Sequence, residues 1–268
     1  GQAIVRASAG NLKRVSLELG GKSPDIVFDD ADLEAAVPGT AMACFNNSGQ
    51  ICAAGTRLFV QRNIYNEFVE RVADFAKGLR VGDSMDPSTQ IGPIVSQQQL
   101  SRVTSYLAAG KDEGARAAAG GSRITEGPLA NGFFVQPTVF ANVNDDMRIA
   151  RDEIFGPVLS VVRVATYEEA VSLVNANPYG NGVAIFTRDG NSARRFARDV
   201  TVGMIGVNVA IPVPVSAYSF GGWKNSLFGH SHIYGPEGFA FYTRAKVITT
   251  RWPSASESQI DLGFPRTR

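Results

Sequence analysis

The chain alternates short apolar runs with segments in which apolar residues recur every three or four positions. The runs RVSLEL, PDIVF, RLFVQ, GVAIFT and GMIGVN predict buried strands. Residues 63–80 predict an amphipathic helix, and the segment SARRFARDV predicts a second. A third helix is predicted to begin at Thr166, because Glu169 follows three positions later as in a capping box. Strands separated by helices favour an α/β fold with a largely parallel sheet.

Two segments follow these patterns less simply. DLEAAVPGTAMACFNN has helical composition, yet Pro38 and Gly39 should break a helix. We therefore expect a helix that starts or kinks there and ends near Asn47, which would deliver Cys52 on the following loop. After Ile211, Pro, Gly and Ser predict irregular chain, and AKVITTRW then predicts a lone late strand that pairs with another domain or subunit.

The overall charge excludes some classes of function. The 268 residues carry 26 basic and 25 acidic side chains, a net charge of +1 that gives no electrostatic footprint for nucleic acid or an anionic membrane.

No apolar run approaches the roughly 20 residues of a membrane helix, and no signal peptide is visible. The only two cysteines, Cys44 and Cys52, cannot build a disulfide framework, and their spacing fits no zinc site. We expect a cytoplasmic protein.

Cys52 lies in the segment NNSGQICAAGTR, among small residues such as Gly49, Ala53 and Gly55. A cysteine in such a place either packs as a small apolar group or serves as a nucleophile that a substrate carbonyl can approach. Backbone N–H groups of the loop could bind the oxyanion that forms on attack. Cys44, on an apolar helical run, is interpreted as a core residue.

The groups that could assist a thiol are few. His230 and His232 stand together in GHSHIYG without an apparent third metal ligand, so no metal site is predicted. Glu18 is flanked by leucines at the end of a predicted strand, where desolvation would raise its pKa toward that of a general base. We expect it at the carboxyl end of that strand, where α/β sites usually lie. Glu153 precedes the apolar turn IFGPV and could hold hydroxyl groups. Either carboxylate could instead be a solvated surface group.

Several motifs occur in an order that resembles one family, NAD(P)-dependent aldehyde dehydrogenases, and specifically their carboxyl-terminal half. The motifs are LELGGKSP, NSGQIC, EIFGPV, NPYGNGVAIFTRD, SFGGWKNS and YTRAKVITTRW. The resemblance covers residues 1 to about 253. It implies that the family's dinucleotide-binding half is largely absent, so that this chain is a fragment expected to be inactive alone.

The resemblance implies a role for each matching residue. Cys52 matches the nucleophile that forms a thioester, and Glu18 matches the general base that activates the hydrolytic water. Glu153 matches the residue that holds the nicotinamide ribose, Phe155 contacts the nicotinamide, and Leu19 faces the nicotinamide end. The implied cofactor is NAD or NADP.

The resemblance also implies a substrate wall and a division of the chain. Phe220 matches an aromatic wall of the substrate tunnel, and Ile51 and Ala53, which flank the nucleophile, are expected to bind the substrate with it. The expected segments are a remnant of the dinucleotide-binding domain, the catalytic domain, and a return segment with an oligomerisation strand and tail: 1–19, 20–225 and 226–268. The strand near Val247 is expected to join copies of the chain into a homo-oligomer, a dimer or a tetramer.

Alternatives remain open at this point. The tail resembles the methylmalonate-semialdehyde dehydrogenase branch, which transfers its acyl group to coenzyme A and lacks the glutamate that matches Glu18. Because this chain retains Glu18, we favour hydrolysis of the thioester to a carboxylic acid. A non-catalytic oligomerisation or binding fragment, and an esterase that uses Cys52 without a cofactor, are the other hypotheses.

Overall fold

The computed structural model describes residues 1–252. Its helices are α1 Gln2–Ser8, α2 Leu33–Phe45, α3 Tyr65–Gly78, α4 Gln97–Asp112, α5 Arg148–Arg151, α6 Tyr167–Ala176, α7 Gly190–Asp199 and α8 Pro236–Tyr242. Its strands are β1 Leu17–Glu18, β2 Ser23–Val27, β3 Gly55–Gln61, β4 Arg116–Ala119, β5 Thr138–Val143, β6 Val158–Val164, β7 Tyr179–Gly180, β8 Gly182–Phe186, β9 Met204–Val207, β10 Trp223–Lys224 and β11 Leu227–Phe228.

A seven-stranded sheet organises the fold. Its strand order is β4-β5-β6-β3-β2-β8-β9, and every neighbouring pair is parallel except β4 with β5. Two short antiparallel pairs, β1 with β11 and β7 with β10, lie outside this sheet. The predicted α/β class with a largely parallel sheet is confirmed.

The central strands are buried on both faces. Along β2 and β3, Ile26 and Phe59 pack into one hydrophobic cluster, whereas Val27, Leu58 and Val60 pack into another. This alternation follows from the two-residue period of a strand, which sends successive side chains to opposite faces. The first cluster is completed by α4 to α7 and the second by α2 and α3, so helices cover both faces of the sheet.

Helix α2 differs from its predicted form. It begins at Leu33, with the Asp32 side chain as its N-cap, runs through Pro38 and ends at Phe45, two residues before Asn47. Proline removes only one intrahelical hydrogen bond. The cap and the buried face of the helix outweigh that loss, so the helix neither starts at Pro38 nor stops there.

The predicted late strand, which was expected to pair with another domain or subunit, has no partner within residues 1–252 and stays a prediction. Residues 245–252 form no strand, and Val247, Ile248 and Trp252 are 89%, 78% and 90% exposed. A strand is stable only when another backbone satisfies its N–H and C=O groups, and no segment of residues 1–252 pairs with this one. The remainder of the expected third segment, residues 253–268, lies outside the described residues.

Within residues 1–252, no helix has the length and apolar character needed to cross a membrane.

The double burial of the central strands predicts a large effect at Phe59, which is fully buried. Phe59→Ala should lower the free energy of unfolding by about 3–5 kcal/mol, because it removes apolar contacts and leaves a cavity. The check is urea denaturation followed by circular dichroism. Phe239→Ala, at a residue 77% exposed, is the control and should change stability by less than about 0.5 kcal/mol. Equal losses in both variants would contradict the assignment of the core.

Candidate active site

Four loops that each precede a strand of the main sheet bring the candidate residues together. Glu18 precedes β2, Cys52 precedes β3, Glu153 precedes β6 and Asn181 directly precedes β8. Because these four strands are adjacent and parallel, the loops meet at the amino ends of the strands. The expectation for Glu18 is corrected here. It does end a strand, but β1 lies outside the main sheet, and the cluster is not at the sheet's carboxyl edge.

The loop that carries Cys52 has an unusual backbone. Asn47, Ser48 and Gly49 all have positive φ, at 51°, 56° and 71°. The Ser48 hydroxyl donates a hydrogen bond to the Gly92 carbonyl at 2.8 Å. A Cβ at Gly49 would overlap the Gly156 carbonyl. Left-handed conformations at non-glycine residues cost free energy and persist only where the surroundings impose them, so the packing fixes the position of this loop.

The Cys52 thiol is half-buried and its surroundings oppose ionisation overall. Burial is the main cause that raises the pKa of Cys52, and the nearby carboxylates of Glu18 and Glu153 raise it further. The Asn181 side chain and the Ala53 N–H lower it, because each places a donor near the sulfur. The Asn181 amide makes no hydrogen bond of regular geometry with any described residue. It therefore lowers the pKa of the thiol because it lies near the sulfur, not through a well-formed hydrogen bond. The thiol therefore lies among donors that could stabilise an anion.

Glu18 is a partly buried residue whose carboxylate has no hydrogen-bond partner within residues 1–252. Neither carboxylate oxygen has a partner among the described residues, and both are closed to solvent. Burial raises the pKa of Glu18. Strand β1 holds it in place, because Glu18 pairs with Leu227 across the β1–β11 ladder. A carboxylate with free lone pairs and a raised pKa can accept a proton from water.

Glu153 is attached to the glycine turn that follows Glu18. The Gly21 N–H donates to the Glu153 Oε1 at 3.0 Å. A Cβ at Gly20 would overlap the other carboxylate oxygen, and one at Gly21 would overlap the Cys52 carbonyl. Burial raises the pKa of Glu153, while the Gly21 N–H and the charge of Lys22 lower it. The turn can lie between Cys52 and Glu153 only because it carries no side chains.

An apolar wall adjoins the thiol. Ala53, Met204 and Phe220 form its buried part. Three partly buried residues pack against it beside Cys52, namely Ile51, Ile211 and Tyr234. The Phe220 and Tyr234 rings lie 5.2 Å apart, centre to centre. The three residues expected at the substrate wall, Ile51, Ala53 and Phe220, thus lie in one cluster with Cys52.

The two other expected cofactor residues are each held by a hydrogen bond to the main chain. Phe155 has a positive φ of 60°, and Gln99 donates to its carbonyl at 2.8 Å and to the Ile154 carbonyl at 2.9 Å. Leu19 donates its N–H to the Ser226 carbonyl at 3.0 Å. A positive φ at an aromatic residue is a strained conformation, and Gln99 stabilises it.

Sequence reasoning assigned no role to Asn181 or Lys22. Asn181 lies in the motif NPYGNG, but nothing local indicates that the loop reaches the thiol. Lys22 lies in LELGGKSP, is 2% exposed, and its Nζ has no partner among the described residues. Burial, together with the charge of Arg57, lowers the pKa of Lys22 to about 7. The glycine pair before Lys22 is the one local signal of close packing in this region.

The histidines lie elsewhere. His232 contacts the Ser219 hydroxyl through its Nδ1, and the same hydroxyl donates to Glu237 at 2.8 Å. In residues 1–252, no group of three or more His, Cys, Asp or Glu side chains is arranged to hold a metal ion.

The contact between Gly21 and Cys52 predicts that added bulk will disturb the thiol. Gly21→Ala should slow alkylation of Cys52 by a neutral reagent at least about fivefold, because the Cys52 turn must shift to relieve the overlap. Peptide mapping by mass spectrometry measures the rate. Gly10→Ala, where a Cβ would meet nothing within 4 Å, should leave the rate unchanged. A normal rate in Gly21→Ala would contradict the close packing of the turn.

The lowered pKa of Lys22 predicts a pH-dependent stability. The folded-state pKa of about 7 lies below the unfolded value of about 10.4. Between these values the unfolded chain binds more protons, so stability attributable to Lys22 rises with pH. Lys22→Met should therefore be more stable than the wild type at neutral pH, and this advantage should shrink as the pH rises toward about 10. Urea denaturation across that range is the measurement, and an advantage independent of pH would contradict the buried, partner-free amine.

Comparison with known proteins places this arrangement in context. A model of the "Aldehyde dehydrogenase family" matches residues 1–248. A malonate-semialdehyde dehydrogenase from Oceanobacillus iheyensis is 40% identical over 93% of this chain and 51% of its own length. A betaine aldehyde dehydrogenase from Rhizobium leguminosarum is 45% identical over 87% of this chain and 47% of its own.

A solved structure shows the same fold. It is a putative methylmalonate-semialdehyde dehydrogenase from Sinorhizobium meliloti complexed with NAD, with a TM-score of 0.92 and 39% identity over 95% of this chain and 52% of that one. The chain thus spans about half the length of the relatives that it matches. With the family match over almost all described residues, this shows that the chain belongs to the aldehyde dehydrogenase family.

Proposed function

We propose that this chain is the catalytic, carboxyl-terminal half of an enzyme that oxidises an aldehyde to a carboxylic acid through a thioester on Cys52. The observation that carries the proposal is the convergence of Cys52 with the buried, partner-free carboxylate of Glu18. A nucleophile and a base in one water-poor site are the two protein groups that such a reaction requires.

Acylation begins with the Cys52 thiolate. Its sulfur attacks the aldehyde carbonyl, and the negative charge moves to the carbonyl oxygen. The Cys52 N–H and the Asn181 amide are the proposed donors to this oxyanion, supported by the influence of Asn181 on the thiol. Donors held in place before the reaction stabilise developing charge without reorganisation. The small residues around Cys52 leave room for the substrate and the cofactor.

Deacylation depends on Glu18. Its free oxygens can accept a proton from a water molecule, which then attacks the thioester carbon and releases the acid. This supports hydrolysis over transfer to coenzyme A, since hydrolysis needs a base next to the thioester. The negative charge of Glu18 raises the pKa of Cys52, and this proximity supports the assignment of both residues to one site.

The residues present fit a nicotinamide cofactor, NAD or NADP, which would accept the hydride when bound. Glu153 Oε1 is held by the Gly21 N–H, and its Oε2 makes no hydrogen bond within the described residues, so this oxygen can accept from a ribose hydroxyl. Gly20 leaves the space beside Oε2 open. Phe155 and Leu19 are proposed to border the nicotinamide. Because this chain spans about half the length of its relatives, it is proposed to be inactive on its own.

The organisation of the chain adds further proposals. Residues 1–19 are proposed as a remnant of the dinucleotide-binding domain, 20–225 as the catalytic domain, and 226–268 as the return segment and tail. The exposed apolar side chains of Val247 and Ile248 support a homo-oligomer, a dimer or tetramer, in which residues 245–252 gain a strand partner. The two free cysteines support a cytoplasmic location.

The role of Glu18 can be tested on this chain without a cofactor. Incubation with a nitrophenyl ester should acylate Cys52, and water activated by Glu18 should remove the acyl group. In Glu18→Gln the acyl form should persist at least about tenfold longer, because general-base catalysis contributes a factor of this order or more. Intact-mass measurement over time follows the adduct.

Two further variants control this experiment. Glu70→Gln changes an exposed glutamate and should behave like the wild type, whereas Cys52→Ala should form no adduct. An adduct that persists equally in the wild type and in Glu18→Gln would count against hydrolysis by Glu18. An unchanged adduct in Cys52→Ala would remove the nucleophile from the proposal.

A further inference from the structure

The wall beside Cys52 is built from apolar and aromatic side chains. Ala53, Met204 and Phe220 are 1%, 5% and 8% exposed. The residues that complete the wall are likewise uncharged, namely Ile51, Ile211 and Tyr234. A substrate chain that extends from the reacting carbonyl along this wall would meet methyl groups, a thioether and aromatic rings.

The charged groups that act on the thiol are both acidic. Glu18 and Glu153 each raise the pKa of Cys52 by their negative charge. A carboxylate on the substrate would therefore approach two carboxylates in a partly desolvated site, where repulsion is stronger than in water.

Two cations are buried near the glycine turn. Lys22 directly follows the turn and is 2% exposed, and burial lowers the pKa of its amine to about 7, so that its positive charge is partly lost at neutral pH. Arg57 is 1% exposed, donates to the Lys22 carbonyl at 3.0 Å and pairs with Asp145 at 3.2 Å. A carboxylate buried without a counter-ion loses its hydration without compensation.

We infer that the substrate surface of this chain selects an uncharged, apolar aldehyde and disfavours an aldehyde that carries a carboxylate near the reacting carbon. This inference rests on the proposed function and specifies its substrate class. It separates the chain from the semialdehydes in the names of several of its relatives.

The charge preference of the wall can be measured on the chain itself, without turnover. Iodoacetamide and iodoacetate alkylate the same thiolate and differ chiefly in the charge of the group they bring. Because both reagents need the thiolate, the ratio of their rates at one pH does not depend on how much of Cys52 is ionised. The same ratio for 2-mercaptoethanol, a small neutral thiol, is the reference, and peptide mapping assigns the label to Cys52.

The expected result is a preference of Cys52 for iodoacetamide at least about tenfold greater than that of 2-mercaptoethanol. Ile51→Arg places a cation on the wall and should reduce this excess at least about fivefold. Met85→Arg is the matched control, because it adds the same charge at a residue that is 88% exposed and should leave the ratio unchanged.

The outcomes separate the inference from the function on which it rests. If Cys52 prefers iodoacetamide to iodoacetate no more than 2-mercaptoethanol does, the inference is overturned while the proposed function stands. This comparison uses the wild-type chain and requires no variant. An equal shift in Ile51→Arg and Met85→Arg would overturn it too, because net charge rather than the wall would then set the ratio. Failure of both reagents to label Cys52 would overturn the inference together with the proposed function.

Discussion

The site depends on a single close contact, in which the glycine turn after Glu18 passes between Cys52 and Glu153. A Cβ at Gly21 would overlap the Cys52 carbonyl, and one at Gly20 would overlap the Glu153 carboxylate. The Gly21 N–H also binds that carboxylate. Two residues without side chains thus hold the candidate nucleophile, the candidate general base and the candidate cofactor-binding residue at short range.

The parallel sheet makes this contact possible. Strands β2, β3, β6 and β8 run in the same direction side by side, so the loops that enter them share one edge. Helices on both faces bury the strands and fix the positions of those loops. This packing also stabilises the strained, positive-φ backbone of those loops at Asn47, Ser48 and Phe155.

Two ionisable groups near the glycine turn are buried at a cost in the free energy of folding. Glu18 and Lys22 are both buried without hydrogen-bond partners among the described residues, an arrangement that costs free energy of folding. Their pKa values shift in opposite directions, upward for Glu18 and downward for Lys22, because burial penalises each charged form. Perturbed groups of this kind cluster at functional sites.

Local patterns predicted the parts of the fold that depend on local physics. Helix α6 begins as expected, because Thr166 accepts a hydrogen bond from the Glu169 N–H, and the period of α3 places Phe68 and Val72 in the core. Helix α2 begins at Leu33 rather than at Pro38, since burial of its face outweighs the broken hydrogen bond. The strand over residues 245–252 stays a prediction, because its formation requires a backbone that residues 1–252 do not supply.

The candidate site was predictable in part. The small neighbours of Cys52 and the apolar neighbours of Glu18 are visible in the sequence. The approach of Asn181 to the thiol is not, because that contact depends on the packing of β8 beside β2 and of β2 beside β3. Sequence patterns show which residues can do chemistry, and tertiary packing decides which of them meet.

The central claim is that Cys52 is a reactive, partly exposed thiol, whereas Cys44 is a core residue. Cys44 is fully buried, and burial raises its pKa. The most direct test compares the labelling of the two cysteines by a neutral alkylating reagent in the folded chain. The account predicts that Cys52 reacts while Cys44 is protected until the chain is unfolded. Equal labelling of both, or protection of Cys52, would contradict it.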